Sequence, residues 1–162
     1  MSITEAVQTV PAGIWKSDPV HSSVGFSVQH MGVNPFRGTL SDFQAVLGGE
    51  QLVGSASVES IATPDENLTA HLLSPDFLEA EKYPEIRFHS TSIEPTAEDV
   101  FRVRGELIVK ETPFEIELET RVRGLGHGQL GDERIVLDAR GAFEWGTTTV
   151  ELTIAVSAAK EA

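Results

Sequence analysis

The sequence lacks cysteine altogether and has few basic residues. With no cysteine among its 162 residues, it can form no disulfide, thiolate metal site or cysteine nucleophile. Lys and Arg number 12 against 25 Asp and Glu, which gives a formal net charge of −13. Binding to nucleic acid or to an anionic membrane surface depends on clustered basic residues. Neither is therefore an expected partner.

Long hydrophobic runs are also absent. No segment approaches the roughly 20 apolar residues of a membrane-spanning helix, so we expect no integral membrane segment. The first residues, MSITEAVQTVPAG, contain an acid and lack the basic and unbroken apolar regions of a secretory signal. We therefore expect a cytoplasmic protein. The length suits one domain, which we place at residues 14–160 behind a flexible N-terminal arm, residues 1–13.

Strand-like alternation of apolar and polar residues covers most of the chain. In the segment SVGFSVQH, Val24, Phe26 and Val28 share one face, and small or polar residues share the other. The same alternation recurs in residues 38–47 and 52–61, and then in EIRFHSTSIE, DVFRVRGELIVK, TPFEIELETRVRG, RIVLDARGAFEW and TTVELTIAVSA. These segments predict about eight strands, each with one apolar and one solvated face.

One segment between the predicted strands is helical. Thr63 suits the N-cap, Pro64 the first helical position and Glu66 the glutamate of a capping box. A leucine stripe follows, and a second short turn leads to a Tyr-Pro pair. The sequence therefore predicts one short helical insertion near residues 64–80.

Strands with one apolar face must either stack as two sheets or close into a barrel. Long strands that follow one another through short turns favour an all-β, antiparallel barrel. A barrel of about eight strands leaves room inside for side chains or for one small ligand. Ala56 and Ser60, two small residues predicted to face inward, favour a cavity over a solid core.

Two histidines are candidates for catalysis or metal binding. His21 and His30 are an odd number of positions apart, so an unbroken strand points them to opposite faces. A shared metal would require a bulge, for example at Gly25. We predict that His21 fixes a turn and that His30, which shares the parity of Phe26, makes an inward polar contact. A hydrolase or metal-dependent enzyme built on the two histidines is the alternative, which metal analysis would test.

Two further motifs do not indicate catalysis. Residues 126–131 match G-x-G-x-x-G, but acids and then a strand follow them, whereas a dinucleotide site needs a helix N-terminus there. We predict a hairpin loop at this position. No G-x-S-x-G segment occurs, and Glu115, Glu117 and Glu119 alternate with apolar residues as a solvated strand face does. We therefore predict no catalytic residues, no metal site and no enzymatic activity.

An ordered series of short motifs covers roughly residues 14–118. It comprises Trp15, Asp18, His21-Ser22, Val24-x-Phe26-x-Val28-x-His30, Gly38, Phe43, Ser60-Ile61-x-Thr63, His71-Leu72, Ser74-x-Asp76-Phe77, Tyr83-Pro84-x-Ile86-x-Phe88 and Gly105-x-Leu107. In this series the sequence resembles the YceI-like polyisoprenoid-binding proteins. The resemblance implies a lipocalin-like barrel, a homodimer, and a polyisoprenoid lipid or isoprenoid quinone bound inside for carriage, storage or sequestration. It implies no required cofactor.

The candidate ligand-binding residues are the side chains expected to surround such a lipid. They are Val24, Phe26, Val28, His30, Phe36, Phe43, Ala56, Val58, Leu72, Phe77, Ile86, Phe88, Leu107, Phe114 and Phe143. A second hypothesis uses the same fold without a ligand. In it, a filled barrel serves as a scaffold or stress-related interaction protein through its acidic surface.

Overall fold

A computed structural model describes residues 11–30, 33–127, 132–146 and 148–161, with the side chains of 29, 30, 33 and 34 left aside. The described residues form one antiparallel sheet of eleven strands, one α-helix and one 3₁₀-helix. The strands are β1 Ile14–Ser17, β2 Ser23–His30, β3 Val33–Leu40, β4 Phe43–Gly48, β5 Gln51–Ser57, β6 Ile61–Ala62, β7 Glu85–Ala97, β8 Val100–Val109, β9 Thr112–His127, β10 Glu133–Trp145 and β11 Thr148–Lys160. The α-helix, α1, spans Glu66–Leu73, and the 3₁₀-helix spans Val58–Ser60. Neither helix is long and apolar enough to cross a membrane.

The sheet closes on itself. β1 and β2 lie one after the other along β11, while β4 pairs with β1 and β3 pairs with β2. β1 and β2 together therefore act as one interrupted strand, and β3 and β4 together act as a second. Together with β5, β7, β8, β9, β10 and β11 they complete a closed barrel of eight antiparallel strands. The predicted fold is confirmed.

The alternation in the sequence becomes the two faces of the barrel wall. Along β9, Ile116, Leu118 and Val122 are buried, and the glutamates between them are exposed as predicted. The outward charges pair across strands, for example Arg104 Nε with Glu117 Oε1 at 3.1 Å. Exposed ion pairs of this kind contribute little stability, so burial of the inner face is what holds the wall together.

The barrel has two distinct ends. At the helix end, β2, β8 and β10 finish, β3, β9 and β11 begin, and α1 lies in the connection from β6 to β7. The opposite end, here called the far end, contains a separate core cluster of Trp15, Leu47, Phe101, Val122, Ile135, Leu137 and Ala158. The larger core cluster extends from the middle of the barrel to the helix end.

The helical insertion is present, but it starts later than predicted. Asp65 is the N-cap, and its Oδ1 accepts a hydrogen bond from the amide of Asn67 at 2.9 Å. Thr63 is not the cap, because its hydroxyl accepts from the amide of Asp65 at 3.2 Å within a preceding turn. Pro64 is therefore outside the helix. The helix ends at Leu73, and turns lead from there to β7.

Two predicted strands are interrupted. Residues 38–47 are divided at Ser41 and Asp42, where β3 ends and β4 begins. The strand predicted to end at residue 61 gives way to the 3₁₀-helix at Val58. Ser60 lies in that helix and donates to the carbonyl of Ser57 at 2.7 Å. The expectation that Ser60 faces the interior beside Ala56 is therefore wrong.

Candidate ligand-binding cavity

The barrel encloses a cavity of about 470 Å³ that reaches from the helix end towards the far end. Protein cores are normally packed with few voids larger than a water molecule, whereas small-molecule sites occupy roughly 300–1,000 Å³. The lining is almost entirely apolar, and its polar side chains among the described residues are Gln44, Ser55, His71, Thr120 and Thr148. The interior thus has the size and character of a binding site for an apolar molecule.

Most of the residues predicted from the sequence line this cavity. They are Val24, Phe26, Val28, Phe36, Phe43, Ala56, Leu72, Phe77, Ile86, Phe88, Leu107 and Phe143. Val58 is buried in the surrounding core but does not reach the cavity. Phe114 packs against Phe143 and Trp145, at ring-centre distances of 5.1 and 6.4 Å, and is also outside the lining. The side chain of His30 is outside the described residues.

Pairing between β2 and β11 explains how one wall is built. Val24 lies opposite Ile154, Phe26 opposite Leu152, and Val28 opposite Val150. These side chains all face the cavity, because residues opposite each other in an antiparallel pair point to the same side of the sheet. The ring of Phe26 also meets that of Phe36 edge to face, with ring centres 6.4 Å apart.

Sequence reasoning missed the part of the wall formed by the last two strands. On these strands the missed lining residues are Ile135, Leu137, Ala139, Trp145, Thr148, Val150, Leu152, Ile154, Val156 and Ala158. Lining residues were missed elsewhere too, among them Trp15 on β1, Leu52 on β5 and Ile116 on β9. The signal was present in TTVELTIAVSA, where Val150, Leu152 and Ile154 share one parity. A strand was predicted there, and the same parity rule applied to β2 would have placed these residues inside.

The cavity meets solvent at a rim formed by α1 and the turn that follows it. Leu68, His71 and Leu72 of α1 and Phe77 of the turn line the cavity. Phe77 is 36% exposed, and the ring of His71 packs edge to face on it with centres 4.7 Å apart. The rim therefore combines apolar contact surface with an exposed imidazole that can donate or accept a hydrogen bond.

Two other histidines, His21 and His89, contact acids on the surface. Nδ1 of His21 lies 2.8 Å from Oδ2 of Asp18, in the turn between β1 and β2, as the turn-fixing prediction requires. Nε2 of His89 lies 3.1 Å from Oε1 of Glu106. Within the described ranges, no group of three or more His, Asp and Glu is positioned to hold a metal ion. The inward contact of His30 stays a prediction.

Asp18 is the centre of a polar network that joins the β1–β2 turn to β10. The ring of His21, the amide of Val20 and the guanidinium of Arg134 all bond to its carboxylate and hold its pKa well below the usual range. The bond to Asp18 in turn raises the pKa of Arg134. None of these four residues lines the cavity, so the network is structural and lies apart from the candidate site.

The comparison with known families decides what this barrel is related to. A family model described as the YceI-like domain matches residues 15–159. The chain belongs to the YceI-like domain family. Among its relatives is Protein YceI of Escherichia coli O17:K52:H18, 28% identical over 131 residues that make up 76% of this chain and 68% of the relative. A UPF0312 protein of Pseudomonas putida (strain GB-1) is 28% identical over 139 residues, or 82% of this chain and 69% of the relative.

Solved structures share this YceI-like architecture. The YCEI protein of Campylobacter jejuni aligns with a TM-score of 0.73 at 21% identity, over 83% of this chain and 90% of that one. A polyisoprenoid binding domain from Saccharophagus degradans, implicated in plant cell wall breakdown, aligns with a TM-score of 0.68 at 9% identity. That alignment covers 93% of this chain and 100% of the domain. At such identities the likeness shows the fold.

Proposed function

We propose that this protein binds a polyisoprenoid lipid or an isoprenoid quinone inside its barrel, and that it carries, stores or sequesters this lipid. The observation that carries the proposal is the apolar cavity of about 470 Å³ along the barrel interior. A prenyl chain is a branched hydrocarbon, so such a wall can contact it along its length. The name of the Saccharophagus degradans domain, a polyisoprenoid binding domain, supports the same class of ligand.

The energetics of an unfilled cavity support the presence of a ligand. The wall of this cavity is almost entirely apolar, and apolar surface left in contact with water forgoes roughly 25 cal/mol of stabilisation per Å². Typical domains are stable by only about 5–15 kcal/mol in total. An apolar occupant removes that surface from contact with water. We therefore expect the protein to hold a lipid when it is isolated from cells.

The same energetics suit carriage rather than irreversible capture. Burial of one isoprene unit contributes roughly 3–4 kcal/mol at about 0.8 kcal/mol per buried CH₂. A bilayer offers the chain an equally apolar environment, so transfer between membrane and barrel is close to balanced. The protein can then take up a lipid and release it without chemical change to either.

We expect the polar head of the lipid to lie at the helix end. His71 and Thr148 line the cavity there, and the backbone of His30 ends β2 at the same end. A quinone carbonyl or a hydroxyl at this position can bond to the imidazole of His71, while the tail extends towards the far end. Of the described lining residues, His71 is the only one with an ionisable side chain, and a single such group supports binding rather than acid–base catalysis.

The homodimer implied by the family resemblance is a second part of the proposal. On the outer face of β8, Arg102 and Arg104 both pair with Glu117 of the same chain, at 3.4 and 3.1 Å. Both arginines remain about half exposed, so each keeps N–H donors that a partner's acids could accept from. Light scattering coupled to size exclusion gives the mass in solution, and a monomer at all concentrations would overturn this part alone.

The test of lipid binding is extraction of the native protein. Protein purified without detergent is extracted with organic solvent, and the extract is analysed by mass spectrometry. We expect a prenyl lipid or an isoprenoid quinone in an amount comparable to the protein. A ligand-free barrel that takes up no added quinone would contradict the proposal. The variant Ala56→Phe, whose added ring would occupy the cavity, is the matched control and should yield less lipid.

A further inference from the structure

A second, much smaller void lies at the far end of the barrel. It measures about 30 Å³. Pro11, Ile93, Phe101, Val103 and Val122 line this void but not the main cavity. Five other residues line both spaces, namely Leu47, Leu52, Thr120, Ile135 and Leu137. We call these five the partition, because their side chains are what separates the two spaces.

The partition is an apolar wall. Four of its members are aliphatic, and Ile135 is completely buried while Leu137 is 8% exposed. The hydroxyl of Thr120 donates to the carbonyl of Leu118 on its own strand at 3.5 Å. The only polar side chain of the partition, that of Thr120, thus already has a hydrogen-bond partner in the backbone. The far side of the wall offers apolar surface too, since every residue that lines the small void alone is apolar.

We propose that the partition sets the longest prenyl chain that the barrel can enclose, with Leu137 as a specificity-determining residue. This inference rests on the proposed function. A tail that enters at the helix end can extend only until its terminal unit meets the partition. Further isoprene units must remain at the rim in contact with water, where they contribute no burial. Affinity should therefore rise with chain length and then stop rising.

Truncation of Leu137 should move that limit. Leu137→Ala removes three carbon atoms from a wall that has an apolar space on each side, so the main cavity and the small void become continuous. Leu52→Ala opens the same wall from β5. Because Leu52 is only half-buried, this second variant disturbs the fold less. Val103→Ala enlarges only the small void and leaves the partition in place, which makes it the matched control.

The experiment measures binding of all-trans prenyl alcohols of increasing length by displacement of a fluorescent apolar probe. For the wild type we expect the dissociation constant to fall with each added unit and then to level off. For Leu137→Ala the levelling should occur at a longer alcohol. That alcohol should bind about tenfold more tightly to the variant than to the wild type, since roughly two more of its carbon atoms are buried. Val103→Ala should follow the wild-type curve.

The outcomes separate this inference from the proposed function. If the wild type binds no alcohol of the series, both are overturned. If the wild type binds but its affinity does not level off, or if Leu137→Ala and Leu52→Ala level off at the wild-type length, only the partition is overturned. Circular dichroism of each variant establishes that it is folded, and Leu52→Ala decides the question if Leu137→Ala is not.

Discussion

The ring of Phe26 lies directly against Gly38, its partner on the neighbouring strand. A Cβ atom on Gly38 would be only 2.7 Å from Cε1 of Phe26 and 2.7 Å from the carbonyl oxygen of Ala62. The glycine thus leaves space for the ring to lie flat on the wall. The ring of Phe88 likewise lies against Gly105, although its register partner on that strand is Leu107, and a Cβ on Gly105 would be 2.7 Å from Cζ of the ring. Two aromatic rings are kept close to the wall in this way, and the cavity beside them stays open.

Gly38→Ala should therefore reduce both stability and lipid capacity. The added methyl group must push the Phe26 ring into the cavity and also meets a backbone oxygen that has little freedom to move. Overpacking of this kind costs about 1–3 kcal/mol. We expect that loss in the free energy of urea unfolding, together with less co-purified lipid per protein by mass spectrometry.

The control for this prediction is Gly124→Ala on β9. A Cβ at that position would meet no atom within 4 Å, so its stability should stay within about 0.5 kcal/mol of the wild type. Equal losses in the two variants would show that the effect comes from the lost glycine itself and not from the ring of Phe26.

Ala56→Phe distinguishes an open barrel from a filled one. Ala56 faces the cavity, so a larger side chain can enter empty space there. Ala80 is similarly buried, at 6% exposure, but lies outside the cavity lining. We expect Ala56→Phe to fold with little loss of stability and to bind less lipid, and Ala80→Phe to lose about 1–3 kcal/mol from overpacking. The filled-scaffold hypothesis instead predicts that both variants are strongly destabilised, as urea unfolding would show.

The barrel could be predicted from the sequence because apolar and polar residues alternate along a strand that has one buried face and one solvated face. The inward positions of Val24, Phe26 and Val28 follow from the same rule. Finer points depend on tertiary contacts that the pattern does not contain. The helix starts at Glu66 because the hydroxyl of Thr63 is engaged in a turn with Asp65, although Thr63 matches a capping motif equally well.

The limits of the predicted site have a similar cause. Phe114 has the parity of the buried Ile116 and Leu118, but Phe143 and Trp145 cover it near the helix end. Parity distinguishes the inside of a barrel from the outside, and it does not distinguish residues that reach the cavity from residues packed behind them. The partition could not be predicted from the alternation of residues either. It depends on how side chains from β4, β5, β9 and β10 meet across the interior.

Phe143→Ala and Phe114→Ala should therefore have different effects. Phe143 lines the cavity and is 8% exposed, so its truncation should cost about 3–5 kcal/mol of stability and also weaken binding of a prenyl alcohol. Phe114 is less buried and lies behind it, so we expect a smaller loss of stability and a smaller change in the dissociation constant. Urea unfolding and probe displacement measure the two quantities. A larger binding defect in Phe114→Ala would place the ligand on the other side of this aromatic group.

The network around Asp18 makes stability depend on acid pH. Bonds from His21, Val20 and Arg134 lower the pKa of Asp18 in the folded protein from an ordinary value of 3.8. The folded state therefore favours the ionised carboxylate. The resulting stabilisation is complete above the ordinary pKa and is lost as the pH falls below it towards the lowered value.

Asp18→Asn removes this contribution. We expect the variant to be less stable than the wild type near neutral pH, with a difference that narrows as the pH falls below about 4. Urea unfolding at a series of pH values measures the difference. Glu59→Gln, which removes an exposed acid outside the network, controls for net charge and should preserve the wild-type slope. The prediction is contradicted if the difference in the free energy of unfolding between Asp18→Asn and the wild type stays constant from neutral to acid pH. Such a result would show that the contribution of Asp18 does not depend on ionisation of its carboxyl group.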